Sequence, residues 1–224
     1  MTVPIGPVSN TQAQFDSLFW LFTYLAIVVG AIVFGLMSYF IIRYREKPSS
    51  PEPQDTPILG KIPASRGHAR SVVMTLSISS ILLAVLIVGS FAAVDNILTP
   101  PINVCQGCSI WVTGHQFYWE FTYPNGTAHP YHNETFLRVP VNENIRLNVT
   151  SADVFHDFGI IGYNIKTDAI PGRYNTIWFK ANVVQNFTIQ CFELCGSGHA
   201  FMKATLFVME HDAYFAWYNS TVVR

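Results

Sequence analysis

Charge is what this sequence has least of. Only 12% of its 224 residues are Asp, Glu, Lys or Arg, about half the share usual in soluble domains. Half of the residues are hydrophobic and mean hydropathy is +0.28, which points to a membrane protein. The formal net charge of −1 leaves no basic excess for a phosphate backbone and argues against a nucleic-acid partner. Residues 1–14 contain no Lys or Arg. A secretory signal peptide starts with a basic region, so none is expected to be cleaved here. No internal repeat or low-complexity segment stands out. Cysteine is sparse too: the four residues fall in two pairs, enough for one two-thiol metal loop and one other pair.

Two long uncharged runs are present. Residues 17–42 form the first, and as a helix it would be about 39 Å long, more than the ~30 Å hydrocarbon core of a bilayer. Residues 71–94 form the second. Between them, positions 43–70 hold six of the thirteen basic residues (Arg43, Arg45, Lys47, Lys61, Arg66 and Arg70) and several prolines. The positive-inside rule puts that linker in the cytoplasm and both chain ends outside. Ser71, Thr75, Ser77, Ser79 and Ser80 in the second run permit close helix packing in lipid, hence a protein neighbour. The expected organisation is an external tail over 1–14, a transmembrane hairpin over 15–96, and an extracytoplasmic domain over 97–224.

After Asp95 the composition changes. Runs rich in Val, Ile, Thr, Tyr and Phe at 109–113, 118–123, 135–139, 145–150, 176–179, 187–190 and 205–209 alternate with turn residues. Seven such strands predict an all-β Greek-key sandwich or barrel. Cys105-Gln-Gly-Cys108 opens this domain. A c-type haem motif needs His next, and Ser109 stands there. A local disulfide in an oxidising compartment is the favoured reading, beside a redox-active or zinc-binding pair. Asn125, Asn133, Asn148, Asn186 and Asn219 each begin an Asn-x-Thr glycosylation sequon. The tail from Glu210 is expected to form a short amphipathic segment.

The chemistry concentrates in Cys191-Phe-Glu-Leu-Cys195-Gly-Ser-Gly-His199-Ala-Phe-Met202. Thiolate, imidazole and thioether together are the soft ligand set that selects copper. One Cys would suggest a mononuclear blue-copper centre; two can bridge a pair of ions. The second imidazole has to come from elsewhere. His156, following a strand-like run and 35 positions before Cys191, is the best candidate. Two Cys and two His also suit tetrahedral zinc, which has no use for Met202. A Cys191–Cys195 disulfide would leave His199 and Met202 unexplained.

Cys-x-Glu-x-Cys-x3-His-x2-Met, preceded by Asp-Val-x-His, resembles the dinuclear CuA site of cytochrome c oxidase subunit II. Lys166-Thr-Asp-Ala-Ile-Pro-Gly-Arg173 and Gly114-His-Gln-Phe-Tyr-Trp119 are similar to two further segments of that family. The resemblance implies a cupredoxin-like fold behind the two-helix hairpin, in the cell membrane with the copper domain outside. It implies that Cys191 and Cys195 bridge two coppers and that His156 and His199 each bind one. Met202 would be a weak ligand to one copper, and the Glu193 backbone carbonyl a ligand to the other. The Glu193 side chain would be free to hold magnesium at the boundary with a haem-containing catalytic subunit. Electrons would come from an external one-electron donor, a cytochrome c or a blue-copper protein. Two coppers sharing one unpaired electron change little in bond length on reduction.

Two departures from the family stand out. Phe117 replaces the tryptophan commonly used for electron input; Trp119, two positions on, is expected on the same strand face, and input through Phe117 or Trp119 competes with plain core packing. The approach to the second helix, Arg66-Gly-His-Ala-Arg70, lacks the carboxylate that often marks a proton pathway. Asp157, Asp168 and Arg173 are candidates for orienting ligands or facing partners, with surface charge and salt bridging as the ordinary alternatives. His115 reads as a structural histidine. Rival readings are a copper-less quinol oxidase subunit II, against which all four side-chain ligands argue, and a membrane-anchored copper-delivery protein.

Overall fold

The computed structural model describes residues 6–45, 68–129 and 135–221. Two long helices come first, α1 (Asn10–Arg43) and α2 (Ala69–Leu98). Their 34 and 30 residues extend about 51 and 45 Å, each beyond a ~30 Å hydrocarbon core. Phe22, Ile32, Phe34 and Phe40 on α1, and Val72, Ile81, Val88 and Phe91 on α2, are all exposed. Apolar side chains left bare around a whole helix suit lipid, not water. Most of the linker expected over 43–70, with Lys47, Lys61 and Arg66, lies outside the described residues.

Within the segment expected as an external tail, the chain is hydrogen-bonded from Val8 on. α1 starts at Asn10 rather than residue 17 because Ser9 caps it: Ser9 Oγ accepts the Gln12 N–H at 3.1 Å, and Gln12 Oε1 accepts the Val8 N–H at 2.8 Å. Ser-x-x-Gln is a capping-box pattern, legible in the sequence but hidden by the low hydrophobicity around it. Ser9 also bridges to Ala181, and Thr11 Oγ1 donates to the Tyr163 carbonyl at 2.6 Å. The chain thus anchors on the β domain before turning into its apolar stretch.

That domain contains β1 (Ser109–His115), β2 (Tyr118–Thr122), β3 (Ala128–His129), β4 (Phe136–Pro140), β5 (Asn144–Ser151), β6 (His156–Ile160), β7 (Ile165–Ala169), β8 (Asn175–Lys180), β9 (Asn186–Cys191) and β10 (Lys203–Met209), then α3 (His211–Ser220). Two five-stranded sheets form, in the orders β3-β2-β1-β5-β8 and β4-β10-β9-β6-β7. Strict alternation writes the sandwich: in β1 and β5, Ile110, Val112, Ile145, Leu147 and Val149 point inward and are fully buried. They meet Phe158, Ile189 and Leu206 in one core cluster.

The seven expected strands are all present, and three more were not anticipated. β6 is the instructive case. His156–Ile160 falls outside the seven expected strands, yet all five residues of β6 are buried, because the strand sits between β9 and β7 in its sheet. Position in the sheet overrode local propensity.

Cys105 and Cys108 are joined in a disulfide. The Gly107 carbonyl between them accepts the Tyr214 hydroxyl at 2.9 Å, and Tyr214 and Tyr218 of α3 are buried. The expected amphipathic tail segment is therefore a helix packed on its own domain. Tyr214→Phe removes the donor to a buried carbonyl, which should cost about 1–2 kcal/mol. Thermal unfolding of the detergent-solubilised chain should show a melting point lower by a few degrees; an unchanged value would mean that the contact contributes nothing.

Candidate metal centre

The loop after β9 is closed by the strand pair that flanks it. Lys203 pairs with Gln190, and the Cys191 N–H donates to the Met202 carbonyl at 3.1 Å. Within the loop, the His199 N–H donates to the Gly196 carbonyl and the Phe201 N–H to Gly198, winding a short 3-10 turn over His199–Phe201. β6 lies antiparallel beside β9 with Phe158 opposite Cys191, so His156, at the head of β6, is carried to the same end of the sandwich.

All six expected positions converge there. Cys191 Sγ lies 3.8 Å from His156 Nδ1 and 3.2 Å from the Glu193 carbonyl oxygen. Cys195 Sγ lies 3.7 Å from His199 Nδ1 and 3.8 Å from Met202 Sδ. The two sulfurs are 3.9 Å apart, and both are free thiols. His156 Nδ1, Cys191 Sγ and Cys195 Sγ are buried; His199 is half-exposed.

Around these atoms is a layer of hydrogen bonds. Asp153 Oδ1 sits 2.8 Å from His156 Nε2, which leaves Nδ1 to face the thiols. Asp153 also accepts the Gln116 and Val154 N–H groups. Burial pushes its carboxyl up, but these bonds outweigh it and hold the pKa at about 2. Gln116 then reaches the other half of the site, donating from Nε2 to the Cys195 carbonyl. One residue thus ties the His156 turn to the thiol loop. The sequence assigns no role to either: Asp153 lies in the Asp-Val-x-His motif, three positions before His156, and Gln116 lies in the aromatic segment 114–119, and both motifs pointed to these positions without saying what they do.

Two close approaches explain three glycines. A Cβ on Gly114 would lie 2.9 Å from the His156 ring and 3.0 Å from Trp119. The Phe117 ring fills the space that a Cβ on Gly198 or Gly196 of the thiol loop would need. Phe117 belongs to the turn between β1 and β2, so the expectation that it shares a strand face with Trp119 is corrected. Trp119 is fully buried, edge-on to His156 at 5.9 Å and to Phe158 at 5.1 Å. Of the two candidate input residues, Phe117 alone reaches the surface.

The remaining candidates divide. His115 is structural: it bonds Glu120 at 3.1 Å and stacks on Tyr118. Asp157 is buried rather than a surface carboxylate, 3.5 Å from Lys166 and opposite Asp168. Burial pushes its carboxyl above the usual range, with Lys166 opposing. Glu193 and Arg173 are exposed.

A β-sandwich with two thiols, two imidazoles and a thioether at one end, preceded by two long apolar helices, defines a membrane-anchored cupredoxin-like protein. Residues 129–209 match the family described as "Cytochrome C oxidase subunit II, periplasmic domain". The chain is 32% identical to the heme-copper oxidase subunit 2 of Aeropyrum pernix, covering 95% of this chain and 92% of that one. It is 30% identical to cytochrome c oxidase subunit 2 of Alkalihalophilus pseudofirmus, over 96% of this chain and 59% of that protein. Among solved structures, the periplasmic domain of subunit II of cytochrome oxidase from Bradyrhizobium japonicum aligns with a TM-score of 0.46 and 40% identity, covering 53% of this chain and 96% of that one. The chain belongs to the family of haem–copper oxidase subunit II proteins.

Two outcomes follow from the geometry. Gln116→Ala frees both the Cys195 carbonyl and the loop above it, so in the metal-free protein a small maleimide should label the thiols about five to ten times faster, the equivalent of one lost hydrogen bond. Unchanged labelling would mean that Gln116 does not hold the loop. Burial, reinforced by the neighbouring Cys191, pushes the Cys195 thiol up to about 11. The unfolded thiol loses its proton near pH 8.5, before the folded one. The contribution of this thiol to the stability of the metal-free chain is therefore full below that pH and falls as pH rises to about 11. Denaturant titrations at pH 8 and 10.5 should show the loss, and equal stability would contradict it.

Proposed function

We propose that this chain is the electron-input subunit of a respiratory haem–copper terminal oxidase, holding a dinuclear copper centre outside the cell membrane. The observation that carries the reading is the pair of free thiols 3.9 Å apart, each with an imidazole nitrogen within 3.8 Å. The donor set fits copper: soft sulfur and imidazole converge, buried, with Met202 and the Glu193 carbonyl at the two flanks. Cys191 and Cys195 would bridge the ions, His156 and His199 would each bind one, and Met202 and the Glu193 carbonyl would complete the set. When bound, the centre supplies one-electron chemistry with little rearrangement.

The chain's own residues do the positioning. Asp153 fixes the His156 ring, Gln116 fixes the thiol loop, and Trp119 and Phe158 keep water from the buried side. An external donor, a cytochrome c or a blue-copper protein, would approach at the loop end, where Phe117 has surface and Leu194 and Phe201 are exposed. Electrons would pass to haem in a separate catalytic subunit, where oxygen is reduced and protons are moved. The exposed Glu193 carboxylate would share a magnesium ion with that subunit. Both helices would span the cell membrane, with the N-terminus and the copper domain outside.

The test uses the whole oxidase complex. Cys195→Ser should slow haem reduction by the protein donor about a hundredfold or more, beyond what outer ligands are worth, while reduction by a small membrane-permeant reductant is kept. Unimpaired electron delivery from the donor would overturn the reading.

A further inference from the structure

From Asp95 to the end there are twelve Asn residues, and Ser or Thr fills about one position in nine. Chance would give one or two Asn-x-Ser/Thr sequons; the domain has five, all with Thr. The described structure separates four of them. A glycan on Asn Nδ2 needs that amide free, and the acceptor segment needs to be extended with its Asn and Thr side chains reachable together.

Three sequons fail this. Asn125 Nδ2 already donates to the Tyr218 carbonyl and to Thr221 Oγ1, and Thr127 is buried with its hydroxyl donating to the Thr221 carbonyl. Asn148 lies mid-sheet between Trp111 and Thr176, accepts the Thr176 hydroxyl, and its partner Thr150 is buried on the Ile170 carbonyl. Asn219 is in the last turn of α3, and its partner Thr221 donates to the Trp217 carbonyl.

Asn186-Phe-Thr188 is different. It is the extended start of β9, whose alternation puts Asn186 and Thr188 outward and exposed while Phe187 packs inward. Neither outward side chain makes a hydrogen bond among the described residues. Asn186 is at the opposite end of β9 from Cys191, about 17 Å along the strand, so a bulky group there leaves the thiol end clear. β6 pairs only with residues 189–191 of β9, so it does not flank Asn186.

We propose that Asn186 is an N-glycosylation site. The donor class is a lipid-linked oligosaccharide presented outside the membrane. The bond from sugar C1 to the lipid phosphate oxygen breaks, a C1–Nδ2 bond forms, the amide gives up one proton, and the lipid phosphate leaves. The inference rests on the proposed function only in needing this domain to face outward.

The test is glycopeptide mass spectrometry on the complex purified from the membranes of the cell that makes it. A sugar mass is expected on the peptide holding Asn186, with the Asn125, Asn148 and Asn219 peptides bare. Asn186→Gln should remove that mass and leave donor-driven haem reduction within about twofold. An Asn186 peptide recovered entirely bare, or sugar on one of the other three, would overturn the proposal. Protease digestion of right-side-out vesicles separates the two ideas. A bare Asn186 on a domain that the protease reaches sinks the glycan alone, whereas a protected domain sinks the outward orientation on which both depend.

Discussion

The antiparallel pairing of β9 with β10 is the constraint on which the site depends. It brings Cys191 and Met202, eleven positions apart, into a backbone hydrogen bond at 3.1 Å, so everything between them must bulge from the end of the sandwich. A loop pinned at both ends has little freedom to lose when it binds a metal, and that preorganisation is what tight, selective metal sites need. The neighbouring pairing of β6 with β9 then delivers His156 without any loop of its own. Two sheet registers, rather than the ligands' mutual attraction, decide where the donors stand.

The hydrogen-bonded layer behind the donors completes the argument. Histidine offers two ring nitrogens, and which one faces a metal depends on what the other bonds. Asp153 occupies Nε2 of His156, so Nδ1 is the nitrogen left for the thiol side. Gln116 makes this layer continuous with the loop, since it touches both Asp153 and the Cys195 backbone. The site is therefore held by four separate pieces of chain: the β1–β2 turn, the segment before β6, the end of β9 and the start of β10.

Much of this was legible in the sequence. Runs rich in Val, Ile, Thr, Tyr and Phe between turn residues announced seven strands and uncharged runs announced two helices, because both are one-dimensional patterns. The donor set was legible because Cys, His and Met so close together have few other uses. What escaped depends on three dimensions. β6 was missed as a strand because its burial comes from its neighbours in the sheet. Trp119 and Phe117 looked like strand-mates until the turn between β1 and β2 separated them. Gln116 lies in a recognisable segment, but its two partners, Asp153 and the Cys195 carbonyl, are set only when the chain has folded around it. The residues before α1 were read as a tail because a capping pattern is short and easily lost beside a long apolar run.

The central claim is that Cys191 and Cys195 are shared between two metal nuclei. Electron paramagnetic resonance of the oxidised native complex tests it most directly, because hyperfine structure counts the copper nuclei that share the unpaired electron. A seven-line pattern, from one electron spread equally over two coppers, is the predicted result. A four-line pattern from a single copper, or zinc in that site with no copper signal, would contradict the account.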